Sequence, residues 1–554
     1  MLAARLSENP RLRVTLVEAG RDLTLATMPA DIRSRYPGRA YLDTANIWAA
    51  LRAVMGMPPG NAPARRDRRY EQARLLGGGS AINALLANRG SPRDYDEWGE
   101  RGAEGWSWET CLPYFLKLER DCDFAGPLHG GDGPLPVRRI SPERMSPFVR
   151  RMAETLAAMG HPRRADQNGI WETGVFPAAA VISDTGERVP TSVGYLTLQV
   201  RQRPNLRIVT GHLAERIVFE GRRAMGAVLL PAEGGEEREF VPAAQVVVSA
   251  GAIHTPALLL RSGVGPGADL AALSIPVVAD RRGVGRNLME HPSIAVSAYL
   301  PRASRVRDRG EHHEQAIVRY SSGLAGTPVG DMHGAILSRS GWHAIGLRLG
   351  SIFFWVNKSY STGEVRLAAP DARVEPLVDF RMLSDWRDLE RLKAALRLGA
   401  AALTHPMMAS VTDAAFPSSY TPRVAAIAQP GMSRALARGA LAGLMDAAGP
   451  MRRVLIEAMV TGGVRLVDLL NDDQALTRYV AENVGGTWHP TCSCRMGAAD
   501  DPMAVADGAG RIYGVDGLRI CDASLMPSIP CANTNAPTIM IAERIADTIH
   551  GPVP

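Results

Sequence analysis

The apolar positions fall into a few short patterns that locate the elements. Leu2, Ala3 and Leu6 mark one side of a short helix, Asn9-Pro10 ends it, and Val14-Thr15-Leu16-Val17 makes a strand closing on Glu18-Ala19-Gly20. A strand with an acid at its carboxyl end fits the second strand of a dinucleotide-binding βαβ unit, where the acid accepts hydrogen bonds from a ribose. That unit puts a glycine-rich turn roughly 20 residues ahead of the acid, and fewer residues than that precede Glu18. Val246 to Gly251 is a continuous apolar run ending in small residues, the pattern of a strand buried on both faces of a parallel sheet. Thr255-Pro256 and a helix over "ALLLRSG" follow it. Leu518-Arg519-Ile520-Cys521-Asp522 reads as a further short strand. After a loop, Pro537 sits in the first turn of a helix whose apolar side is Ile539, Ile541, Ala542 and Ile545.

Between about 291 and 480, strands ("SIFFWV", "GEVRLAA") alternate with charged helices ("DWRDLERLKAALRLGAAAL"). A dinucleotide domain assembled from distant segments, with a second domain between them, accounts for this order. The stretch 430–475 is apolar with arginines at intervals. It reads as a helical flap on the second domain, with a membrane-surface or partner-docking hairpin as the alternative.

Length and charge narrow this picture. At 554 residues the chain exceeds one simple core, and two packed domains are expected. A hydrophobic share of 46% and a charged share of 22% suit a soluble globular protein. The net charge of +6 is carried almost wholly by arginine, since the lysines are Lys117, Lys358 and Lys393 alone. Basic residues are scattered among acids, as in "RRDRRYEQAR", which speaks against a nucleic-acid stripe. Six cysteines without framework spacing imply a reducing, cytoplasmic setting and buried free thiols. Cys492-Ser-Cys494 lacks a second pair of ligands, so no metal is expected. No apolar run is long enough to span a membrane.

Four blocks carry the chemistry: "RLLGGGSAINALLANRG" at 74–90, "GAIHTPALLLRSGVGP" at 251–266, "GTWHPTCSCRMG" at 486–497 and "DASLMPSIPCANTNAPTIMIAER" at 522–544. The first sets three glycines before a helix start, a turn that brings backbone N–H groups close to a pyrophosphate or flavin. The order and spacing of the blocks resemble the glucose-methanol-choline (GMC) family of flavin-dependent alcohol oxidoreductases. "GSPRDYDEWGERGAEGWSWETCLPYFLKLE" and "GVGRNLMEHP" add to the resemblance, which covers essentially the whole chain.

The resemblance implies an α/β fold. A Rossmann-like FAD-binding domain is expected from 1–150, 200–290 and 490–554, and an α+β substrate-binding domain with an antiparallel or mixed sheet from 151–199 and 291–489. Family members begin with a strand and Gly-x-Gly-x-x-Gly running into the helix with which this sequence opens. The FAD domain is therefore expected to be N-terminally truncated as written and weak in FAD, through a misassigned start or a real loss.

His489 matches the family's active-site base, because a neutral imidazole takes the hydroxyl proton as a hydride leaves for flavin N5. Asn533 matches the second catalytic position and holds the substrate oxygen; its alternative is a helix cap, a role open also to Asn535. By resemblance Glu18 binds the adenosine ribose, the alternative being an exposed strand-end acid. Arg74, Leu76, Gly77, Gly79, Ser80 and Asn83 line the flavin or its phosphates, Ala214 meets the adenine through its backbone, and Asp522 and Ala523 approach the ribityl chain. Asn535 and Thr538 sit at the start of the last helix, whose positive dipole end favours the reduced flavin's charge. Cys492 for Gly, Met289 and Glu290 for Gln and Asp, and Gly79 for Ser depart from the usual pattern and remove no catalytic group.

The activity implied is FAD-dependent oxidation of a primary alcohol, choline-like, aliphatic or aromatic, with electrons passed to a quinone or another acceptor. An oxygen-using oxidase, a hydroxynitrile lyase with a non-redox flavin and a flavin-free remnant are the alternatives. A choline substrate would need an acid or an aromatic cage, for which Trp355 and Trp488 are the candidates. Peripheral membrane association stays open, as do the oligomeric state and the identity of the alcohol.

Overall fold

The computed structural model describes residues 1–56, 67–418 and 422–550. Two hydrophobic cores organise it. In the first, strand Val14–Glu18 pairs in parallel with Leu206–Thr210, and Val246–Val248 pairs in parallel with Leu518–Ile520. A three-stranded antiparallel meander, His212–Glu220, Arg223–Pro231 and Glu239–Pro242, lies beside them. Val246 and Val247 are half-buried, so only Val248 meets the expectation of a strand enclosed on both faces. The opening helix, Leu2–Leu6, packs on the last helix, Asn535–His550; there Arg5 and Tyr195 both donate to Oε1 of the buried Glu543 at 2.8 Å.

One helix starts earlier than its proline suggests. Helix Gly251–Arg261 contains Thr255-Pro256 rather than following it. Proline has no N–H for the carbonyl four residues back. That carbonyl, of Ala252, instead accepts from Ser493 Oγ at 2.5 Å, so the 486–497 block supplies the missing donor.

The second core is built on a six-stranded sheet, antiparallel throughout. Its order is Asp413–Ser418, Ser293–Tyr299, Leu349–Val356, Met332–Leu337, Glu314–Tyr320, Gly174–Pro177. Helix Trp386–Thr404 covers one face, with Asp385 capping its start and Leu392, Ala395, Leu396, Gly399 and Leu403 turned inward at helical spacing. Gly399 lets the backbone approach, since a Cβ there would lie 2.7 Å from the Phe354 ring.

A five-stranded mixed sheet crosses the segments assigned from sequence. Arg52–Gly56 runs parallel to Leu377–Met382, and Leu51, Ala53, Met55 and Tyr70 pack into the second core. The 430–475 stretch is largely helical: Ala442, Met445 and Ile456 cover Tyr299, Leu349 and Phe416 at the sheet edge. Asp446 ties it down through Tyr299, Arg305 and Arg348. All six cysteines are free thiols, and among the described residues no helix is long and apolar enough to cross a membrane.

Glu314, on strand Glu314–Tyr320, is buried with Oε1 unpartnered, and burial pushes its carboxyl up to about 8. The unfolded chain releases this proton near the ordinary value of 4.5, whereas the folded chain keeps it until about 8. Stability is thus lost as pH rises through that window. Glu314→Gln is expected to raise the melting temperature by a few degrees at about pH 9 and to change it little at about pH 4. Equal gains at both pH values would show that the carboxyl is not the cause.

Candidate active site

The loop carrying His489 is clipped at both ends to the strand entering the second sheet. Met289 and Thr491 exchange backbone hydrogen bonds at 3.0 Å, and Ser293 N donates to Gly485 O at 2.8 Å. Between these clips the loop folds around Glu290. The carboxylate accepts from His489 N at 2.9 and 3.0 Å, His291 N at 2.8 Å, Thr487 Oγ1 at 3.0 Å and the Tyr70 hydroxyl. Burial raises its pKa, and these donors oppose the rise by favouring the anion. Trp488, held at φ 61°, turns the chain so that the imidazole of His489 points inward.

The hydrogen-bond directions assign the protons. Thr487 spends its hydrogen on Glu290, so its oxygen accepts from His489 Nδ1 at 2.7 Å. His291 Nε2 donates to Pro530 O at 3.1 Å, which leaves His291 Nδ1 to accept from His489 Nδ1 at 2.9 Å. His489 therefore carries its proton on Nδ1 and has an unprotonated Nε2, which accepts from Asn533 Nδ2. Burial lowers its pKa to about 3. Asn533 Nδ2 lies 3.3 Å from that Nε2, and Asn533 Oδ1 has no hydrogen-bond partner among the described residues.

Asn533 is placed from behind. Asp94 accepts from Cys531 N at 2.8 Å, and the buried Lys358 bridges Asp94, Glu97 and Ser528 at 3.1, 2.7 and 3.0 Å. Glu290, His291 and His489 also lie close enough for their ligand-type atoms to meet one ion. The donors already aimed at Glu290, and the hydrogen bonds of His291, occupy the lone pairs an ion would need.

A second cluster gathers the glycine block against the first strand. Gly20 lies so close to Arg74 that a Cβ would sit 2.0 Å from its carbonyl oxygen. Leu76 N donates to Arg21 O, and Gly211 N to Gly20 O, which brings the strand holding Ala214 alongside. Gly77 adopts φ 99° and Gly78 φ 52°, and no atom lies within 4 Å of a Cβ built at Gly78 or Gly79. Glu18 is half-buried, accepts from Gly20 N at 2.8 Å, and has a pKa raised by burial. Ser80 Oγ is bound to Gly77 O and Thr191, Asn83 Oδ1 to Leu85 N and Arg188, and the Asp522 carboxylate to Gly251, Thr255 and Ser524. These three side chains fix the backbone of the cleft. Arg74 reaches Ala232 O and lies over Trp48. Ala523 O accepts from Cys492 N, and Asn535 and Thr538 form the first turn of the last helix, next to Asn533.

Family models described as GMC oxidoreductase match residues 49–293 and 359–542. The chain belongs to the GMC oxidoreductase family. It is 43% identical to 5-(hydroxymethyl)furfural oxidase of Methylovorus sp., over 99% of this chain and 96% of the relative. It is 33% identical to an oxygen-dependent choline dehydrogenase of Burkholderia multivorans, over 100% and 92%. Among solved structures, pyridoxine 4-oxidase from Mesorbium loti superposes with a TM-score of 0.80 at 26% identity, over 99% of this chain and 96% of that one. GMC oxidoreductases are FAD-dependent flavoproteins, so FAD is the cofactor.

The GMC pattern pointed to His489 and Asn533, and the structure brings them together. Sequence reasoning did not assign Glu290, His291, Tyr70 or the Asp94–Lys358 pair. "MEHP" drew notice only as a departure, and the scarcity of lysine was the one signal for Lys358.

Proposed function

We propose that this GMC protein oxidises a primary alcohol to the aldehyde, with His489 as base and Asn533 as the oxygen's hydrogen-bond donor. The observation that carries the reading is the unprotonated Nε2 of His489 paired with Asn533 Nδ2 at 3.3 Å, which sets a proton acceptor beside an amide donor. A hydroxyl seated between them gives its proton to Nε2, while the amide N–H holds the oxygen as charge develops on it. Thr487 and His291 keep the Nδ1 proton and the ring plane fixed, and the Glu290 carboxyl group holds Thr487 one hydrogen bond away. Bound FAD supplies the hydride acceptor.

The cleft fits that cofactor. No described atom covers Gly78 or Gly79, Glu18 accepts from Gly20 N at its own strand end, and the first turn of the last helix offers its positive end beside Asn533. We infer a neutral alcohol rather than a quaternary ammonium. One face of Trp355 is taken by the His333 ring at 3.9 Å, Trp488 is bound to Glu71, and the Glu290 carboxylate is filled. The hydroxymethyl group on an aromatic ring in the name of the 43%-identical relative supports the same choice, and "oxidase" and "oxygen-dependent" in the relatives' names support dioxygen as acceptor.

Anaerobic addition of a benzyl alcohol to the flavin-loaded protein is expected to bleach the visible flavin band. Readmitted air should restore it with one hydrogen peroxide per alcohol. A flavin that no primary alcohol bleaches overturns the reading, and cyanohydrin cleavage with the flavin still oxidised would make the protein a lyase. Recovery with a quinone but not with air keeps the alcohol and corrects the acceptor.

A further inference from the structure

His333 is a buried imidazole beside this site that has no hydrogen-bond partner among the described residues. It is 1% exposed on strand Met332–Leu337, and neither Nδ1 nor Nε2 makes a hydrogen bond among the described residues. The register aligns Arg319 with His333, His333 with Trp355, and Trp355 with Ser293 across four neighbouring strands. Residues directly opposite one another project from the same face of a sheet, and this row faces the His489 loop. The Trp355 ring lies 6.4 Å from that of His489, and His333 stacks on Trp355 at 3.9 Å with 15° between the planes. Met332 and Ile336 point to the opposite face, into the second core.

A structural role does not account for the imidazole. A phenyl ring would serve the stack on Trp355 without leaving two buried polar atoms unpaired, which is costly. Burial, with Arg319 and His489 nearby, holds the pKa well below 6.5, so the ring is neutral and offers one N–H and one lone pair. Adjacent strands lie about 4.8 Å apart. The row from Ser293, beside the His489 loop, to His333 thus spans about 10 Å, the length of a monocyclic arene with a group at each end.

We propose that His333 is a specificity-determining residue that hydrogen-bonds an oxygen on the substrate, at the end of the ring opposite the reacting carbinol. With His333 in that role the enzyme selects aromatic primary alcohols carrying a carbonyl or similar oxygen across the ring. This rests on the alcohol-oxidising reading of the His489 pocket.

The test compares kcat/KM for methyl 4-(hydroxymethyl)benzoate and 4-(trifluoromethyl)benzyl alcohol, both electron-poor, of which only the first offers a carbonyl. The wild-type holoenzyme is expected to favour the ester by roughly 10- to 100-fold. His333→Phe, which keeps the stack, should bring the ratio close to one, and His333→Gln, which restores an N–H, should recover part of it. A wild-type ratio near one overturns the inference, as does a preference that survives in flavin-loaded His333→Phe. If His333→Phe does not retain flavin, the wild-type ratio and His333→Gln decide alone: a wild-type preference that His333→Gln lowers without abolishing supports the inference, and one that it leaves unchanged, or that the wild type lacks, refutes it. Failure of the wild-type holoenzyme to oxidise either alcohol is a separate result, which sinks the alcohol-oxidising reading itself.

Discussion

His489→Ala is expected to lower kcat by roughly 10²- to 10⁴-fold, with the visible flavin spectrum retained and KM little changed. The loss falls on kcat because the lone pair at Nε2 acts only when the hydroxyl proton moves. The fold around the loop survives, since the clips at Met289–Thr491 and Ser293–Gly485 and the bond from His489 N to Glu290 all use backbone groups of the 485–491 loop. The wild-type pH profile tests the same assignment. A base with the ordinary pKa near 6.5 would lose activity below neutrality, whereas His489 is held at about 3 by burial. Protonation removes the lone pair only as pH falls toward that value, so kcat/KM should stay level from neutrality down to about pH 5. A variant within tenfold of wild type would remove His489 from the chemistry. An acid limb near 6.5 in kcat/KM would mean that burial does not hold the imidazole down in the enzyme before substrate binds.

Gly20→Ala is expected to weaken FAD binding by roughly 100-fold, seen as colourless protein after gel filtration that takes up flavin only at high concentration. A Cβ at Gly20 would stand 2.0 Å from Arg74 O, 2.3 Å from Arg74 C and 2.6 Å from Leu75 N. All three are backbone atoms, so no rotamer change relieves the overlap, and overpacking of this kind costs about 1–3 kcal/mol. The upper end of that range is about 100-fold in a dissociation constant. The displacement passes directly to the glycine turn, because Leu76 N donates to Arg21 O and Gly78 N to Leu75 O. Gly79→Ala is the control. Nothing lies within 4 Å of its Cβ, so flavin loss in that variant would report contact with the cofactor rather than a shifted backbone. Gly20→Ala purified with full flavin would show that the strand end and the glycine turn move independently.

Much of this was legible along the chain. The strand Val14–Glu18, the last helix with Pro537 in its first turn, and the helix Trp386–Thr404 are set by local apolar period and capping residues. Such signals operate within a few residues and need no knowledge of the rest of the fold. The four blocks likewise fixed the family, the cofactor and the pairing of His489 with Asn533, because their residue types and order persist without the structure. The helix around Pro256 was misplaced because the donor that satisfies Ala252 O comes from Ser493, 241 residues away.

The tertiary structure decided the rest. It paired Arg52–Gly56 with Leu377–Met382, made the six-stranded sheet antiparallel throughout, and ran Arg319, His333 and Trp355 into one row. It also set the proton on His489, through Thr487 two residues away and through His291, 198 residues earlier in the chain. Which types of residue carry the chemistry is written in the sequence, since side-chain chemistry is intrinsic. Which nitrogen is unprotonated, and which buried group is left without a partner, depends on directional hydrogen bonds between distant segments, and only the packed chain brings those together.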